Sequence, residues 1–171
     1  MKHLNGTLVW NVGSSSVKGS LFVDQREVLT WFADVKEQKI VFGHSKKSLT
    51  VKNLLAIINT VVAQIPKNIL IDRHLHRIVY GGASMWRPMR GTTAAVHSLK
   101  KLVDRDPLHL PQALALYQLV KQVLPKATGW FVFDSGIYQY LPPMVREYAL
   151  PRWVVNRYQI RRFGFHGIAH W

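Results

Sequence analysis

Short apolar, β-prone runs recur along this chain, and several stop abruptly on polar residues suited to holding an anion. Thr7 to Val12 (TLVWNV) runs into Gly13-Ser14-Ser15-Ser16. Leu75 to Tyr80 (LHRIVY) carries Arg77 and ends at Gly81-Gly82, and Gly129 to Phe133 (GWFVF) has Asp134 directly at its carboxyl end. Between the first two runs, Val17 to Val23 alternates, Asp24-Gln25 turns the chain into Glu27 to Ala33, and Gln38 to Phe42 adds a short strand. The opening therefore reads as a β-meander. Helices then intervene: Val51 to Gln64, with Thr50 as N-cap and Pro66 beyond its end; Thr93 to Asp104; and a third with Pro111 in its first turn, running to Leu124. Strands first, then strands alternating with helices, predicts an α/β domain on a mixed sheet. Ligands of such sheets collect outside the carboxyl ends of the strands. Asn11 with the serine turn, Arg77, Asp134 and His166 are expected there.

Composition narrows the class. The 171 residues are 48% hydrophobic with a mean hydropathy of −0.01, enough to bury the core of one domain. With no cysteine, disulfides, thiolate zinc sites and cysteine nucleophiles are excluded. The apolar stretch Leu54 to Ile65 is interrupted by Asn59, Thr60 and Gln64 and is too short to span a bilayer, and Met1 to Val9 lacks a signal-peptide core. A soluble cytoplasmic protein without a membrane partner is expected. Lys and Arg number 23 against 9 Asp and Glu, a net charge of +14. Such charge draws polyanions. Yet the basic residues sit in short groups (Lys46-Lys47, Lys100-Lys101, Arg161-Arg162) rather than in one block, so nucleic acid is the secondary partner reading.

Four segments carry chemistry. In Asn11 to Lys18 (NVGSSSVK), successive N–H groups and hydroxyls of a strand–turn–strand suit phosphate oxygens; Lys18 adds a charge, and Asn11 a hard oxygen for magnesium or its water. The G-x-x-x-x-G-K-[ST] spacing is absent, and a plain serine-rich hairpin turn is the bland alternative. Arg77 offers a bidentate fork to a carboxylate or phosphate, and Gly81-Gly82 allow close backbone approach. Asp134 can orient a reacting group or hold a metal's water shell, or simply cap the next turn. Arg161 to His170 (RRFGFHGIAH) resembles an RNA-recognition signature only at Phe-Gly-Phe. Its two histidines lack a third metal ligand, which leaves an imidazole in a glycine-flanked turn donating to a developing anion.

Taken in order, these segments resemble the acetate kinase family. The resemblance rests on Asn11 to Lys18, the Arg77 strand with Gly81-Gly82, Pro107-Leu108-His109, Val132 to Asp134 with Gln139 and Pro142-Pro143, Tyr148 to Pro151, and Arg161 to His170. It covers the whole chain but only the amino-terminal part of a family member. It implies the actin-like, ribonuclease H-like fold shared by acetate and sugar kinases, chaperones and actin, with residues 1–171 as the amino-terminal domain. The resemblance further implies that the last ~20 residues begin the inter-domain region, and a carboxy-terminal nucleotide-binding domain is expected to be absent from these residues. The implied reaction is phosphoryl transfer between ATP and acetate or a similar short carboxylate, with Mg2+, giving acyl phosphate and ADP. The implied catalytic residues are Asp134, His166 and His109. Arg77, Val79, Leu108 and Phe165 would bind the carboxylate substrate, Lys18, Ser14 and Ser16 the ATP side, and Asn11 the metal. Departures stand at Tyr80 and Tyr138, where the family has histidine, at Leu110 in place of asparagine, and at Ile168-Ala169 in place of Thr-Ser. On this reading the chain alone is inactive and either meets a separate carboxy-terminal half or self-associates. The alternative is a non-catalytic remnant or basic anion-binding module.

Overall fold

The computed structural model describes residues 3–43, 45, 48–136, 141–158, 160, 162, 166 and 168. Strands β1 (Leu4–Val12), β2 (Ser16–Val23), β3 (Arg26–Asp34), β4 (Lys39–Phe42) and β5 (Ser48–Thr50) form an antiparallel meander. Helix α1 (Leu54–Ala63) carries the chain to β6 (Ile69–Ile78), which pairs parallel with β1. The two-residue β7 (Met89–Arg90), α2 (Thr93–Lys100) and α3 (Leu110–Val123) precede β8 (Thr128–Phe133), which is parallel to β6 and antiparallel to β7. The short helices α4 (Pro143–Arg146) and α5 (Arg152–Tyr158) follow. The sheet order is β5-β4-β3-β2-β1-β6-β8-β7. No described helix is long and apolar enough to cross a membrane.

Period-two alternation builds one face of this sheet. Leu8, Trp10 and Val12 of β1, Val17 and Leu21 of β2, and Trp31 and Ala33 of β3 are all buried. Trp10 and Trp31 meet with ring centroids 4.8 Å apart. A Cβ on Gly19 would lie 2.3 Å from the Trp31 ring and 2.1 Å from the Val9 carbonyl oxygen, so only glycine lets β2 pass. Asp24 and Gln25, with φ of 47° and 64°, make the two-residue turn whose twist matches a hairpin. Ile57, Ile58 and Val61 of α1 and Leu110, Ala113, Leu114, Tyr117 and Val120 of α3 recur at helical spacing and complete the core.

The structure differs from the sequence expectation at element ends. Thr50 is paired with Lys39 as the last residue of β5, and the helix starts after Asn53, whose side-chain oxygen accepts the Ala56 N–H at 2.9 Å. The next helix ends at Lys100, with a 3-10 turn over Val103–Arg105. Strand β6 begins at Ile69, six residues before Leu75, because Leu4 at the start of β1 pairs with it. Strand β7 was not expected; two residues give no period to detect.

Candidate active site

The parallel pairing of β1, β6 and β8 brings three polar strand ends together. Trp10 is level with His76, and Arg77 with Val132, so Asn11, Arg77 and Asp134 arrive at one corner of the sheet. Arg77 Nε donates to Asp134 Oδ1 at 2.8 Å and Nη2 to Oδ2 at 2.5 Å, a bidentate ion pair. Its Nη1 donates to Asn11 Oδ1 at 3.1 Å. Asp134 is fully buried, and burial of a carboxylate demands such a partner. The hydrogen bond to Asp134 raises the Arg77 pKa further above its usual value, against the opposing effect of burial.

His166 joins this corner from 32 residues further along the chain. Its backbone N–H donates to Asp134 Oδ2 at 3.2 Å, and its Nδ1 lies 3.3 Å from Arg77 Nη2. A guanidinium only donates, so Nδ1 accepts, and a neutral imidazole then carries its proton on Nε2. The His166 φ is 61°, a left-handed conformation uncommon outside glycine and held here by those bonds.

The remaining expected residues spread around this corner. Lys18 is exposed and pairs with Asn11 across the β1–β2 hairpin, so both side chains share a face; its ammonium lies 5.3 Å from the centre of the Phe32 ring. Ser14 is exposed in the turn, and the carbonyl of half-buried Ser16 accepts the Gly13 N–H at 2.8 Å. His109 precedes α3, where both its Nδ1 (3.0 Å) and its N–H (3.3 Å) reach Asp106 Oδ1. Those bonds go to Asp106, not to Arg77 or Asp134. Val79 is half-buried just past β6, whereas Leu108 is 65% exposed. Phe165, Tyr138, Gln139, Ala169 and His170 lie outside the described residues. Leu110 is buried in the core, which explains an apolar residue there. Gly81 also serves packing: a Cβ there would lie 1.9 Å from the Met85 carbonyl oxygen and 2.6 Å from Phe133.

Sequence reasoning missed two features. Ser135 is buried beside Asp134 with its Oγ unbonded, signalled only by adjacency. His74 and His76, two apart on β6 and so on one face, are buried in the core with Nδ1 of the first 2.8 Å from Nε2 of the second. Tyr117 packs on both rings, and its hydroxyl donates to the Gly91 carbonyl. Burial, reinforced by Lys121, lowers the His74 pKa to about 4, and burial with His74 nearby holds His76 well below its usual value.

The sequence matches the acetokinase family over residues 6–171. The chain belongs to this family. It is 29% identical over 176 residues to the acetate kinase of Sulfurovum sp. (strain NBC37-1), covering 95% of this chain and 44% of that protein. It is 30% identical over 186 residues to that of Helicobacter acinonychis (strain Sheeba), covering 95% and 46%. Among solved structures, a propionate kinase from Francisella tularensis superposes with a TM-score of 0.78 at 25% identity, over 98% of this chain and 46% of that one. Porphyromonas gingivalis acetate kinase superposes at 0.75 and 24%, over 97% and 46%. The mixed sheet with flanking helices is thus the actin-like fold of this acetokinase family. This acetokinase-family chain spans about half the length of the curated relatives it matches.

Proposed function

We propose that the chain provides the acceptor-side wall of a phosphotransferase that moves the γ-phosphoryl group of ATP to a short carboxylate such as acetate, giving acyl phosphate and ADP. The observation that carries this reading is the convergence of Asn11, Arg77 and His166 around the buried Asp134 at one corner of the sheet. Phosphoryl transfer asks a protein mainly for alignment and charge neutralisation. Asp134, Asn11 and His166 hold four of the five Arg77 N–H groups and so fix its orientation, leaving one Nη1 N–H and the cationic charge for a carboxylate or phosphoryl oxygen. His166, with its proton on Nε2, donates to the charge that develops on transfer. Lys18, Ser14 and Ser16 serve the ATP phosphates, Val79, Leu108 and Phe165 bound the acyl group, and His109 adds a further polar contact.

The donor set bears on magnesium directly. Among the described residues no three His, Cys, Asp or Glu side chains form a metal-binding group. Asn11 Oδ1 and both Asp134 oxygens are hard donors, but each already accepts from Arg77. They fit the water shell of a magnesium ion rather than direct ligation, the mode that ion favours. Bound there, magnesium would neutralise phosphate oxygens during transfer.

Acetyl phosphate trapped as its hydroxamate tests the reading. Residues 1–171 alone with ATP, magnesium and acetate are expected to stay near background. Adding the carboxy-terminal half of the Sulfurovum relative should produce hydroxamate with the parent but not with Asp134→Asn. Equal product from both, or no gain with both halves folded, contradicts the proposal.

A further inference from the structure

At the amino-terminal ends of β6 and β8, where α1 and α3 both finish, the surface sinks into an apolar groove of about 420 Å³. Val62, Ile65, Ile69, Val123 and Leu124 line it. Leu70, Ile71 and Lys126 also line an adjoining depression of about 420 Å³, whose other walls include Arg73, Arg90 and Trp130. From Ile69 to Arg77 is about 26 Å of strand, so this groove lies at the opposite end of the sheet from the Asp134 corner.

The walls specify an amphiphile. Each depression falls within the ~300–1,000 Å³ span of small-molecule sites, and Leu70, bordering both, is 54% exposed. The walls of the first are mostly apolar side chains, the composition small-molecule sites favour. Lys67, Lys126, Arg73 and Arg90 surround it against a single carboxylate, Asp72, which already pairs with Arg73 at 3.3 Å. Arg90 lies over the Trp130 ring at 5.8 Å, which holds its charge beside the apolar floor. A polyphosphate would leave the apolar lobe empty, and a neutral hydrocarbon would leave the cations unanswered.

We propose that this groove binds a medium-chain fatty carboxylate, its tail between the ends of α1 and α3 and its carboxylate at Lys126, Arg73 and Arg90. Calorimetric titration of the full chain with decanoate below its micellar range tests this. Saturable binding is expected, weakened about tenfold or more by Leu70→Glu, by Lys126→Glu, and by replacing decanoate with decanol. Lys100→Glu, the same charge change on α2, should leave the affinity unchanged. Thermal unfolding by circular dichroism verifies each variant, and if Leu70→Glu fails to fold, Lys126→Glu and decanol decide. No saturable binding, equal loss in Lys100→Glu, or indifference to Lys126→Glu overturns the proposal. So does Lys126-dependent binding to phosphatidylglycerol vesicles that decanoate does not displace, which would make the face a membrane contact.

Discussion

Asp134 has no exposed surface, and Arg77 answers it with two donors while remaining about a quarter exposed itself. Removing the cation from such a pair strands a buried charge, so Arg77→Ala should cost about 3 kcal/mol, the low end for buried pairs because water still reaches this one. Urea unfolding reads that loss. Adding Asp134→Asn to Arg77→Ala should recover more than about 1 kcal/mol by removing the stranded charge; a double variant no better than the single refutes this account. The His74–His76 pair makes a pH prediction. With the folded His74 pKa at about 4 and the unfolded value at 6.5, the unfolded chain binds more protons between those limits. Stability is therefore full above pH 6.5 and falls as pH drops toward 4, by roughly 3 kcal/mol from this group. His74→Leu combined with His76→Leu should flatten the dependence of the urea midpoint between pH 7 and 4.5; an unchanged slope would place the acid sensitivity elsewhere.

Helix caps separate what the sequence displays from what only pairing decides. Thr50 and Asn53 are both capping residue types, and local pattern cannot choose between them. The β4–β5 ladder chooses: Thr50 is held in a strand, and Asn53 takes the cap. Asn53→Ala should therefore lower stability by about 1 kcal/mol, and Thr50→Ala by much less; equal losses in thermal melts would return the cap to Thr50. The same logic explains the rest of the comparison. The β1–β2–β3 meander, Pro111 at the start of α3 and Asp134 at the end of β8 were legible because alternation, proline and strand-end polarity are local signals. The amino-terminal half of β6 was not, because Ile69 to His74 are strand through pairing with β1 and, at Arg73 and His74, with β8. At the site, residue types and order pointed to Asn11, Arg77, Asp134 and His166. The direct bond from Arg77 to Asn11, and the attachment of His109 to Asp106, depend on register and helix start.

Across the whole molecule, the parallel β1–β6–β8 unit gathers Asn11, Arg77 and Asp134 at one end, and the helix ends leave the cation-bordered groove at the other. A net charge of +14 means that any anion gains some affinity without a site, so a binding experiment must distinguish Arg77 from the general field. The decisive measurement is calorimetric titration of acetyl phosphate into residues 1–171 at 0.15 M salt, where charges beyond ~8 Å are largely screened. Parent, Arg77→Gln, His166→Ala and Lys100→Glu proteins, each verified as folded, are compared. Saturable binding in the parent, weakened about tenfold or more by Arg77→Gln, measurably by His166→Ala and not at all by Lys100→Glu, is the predicted result. Equal affinity in all four proteins would mean that the Arg77–Asp134 corner does not hold the ligand.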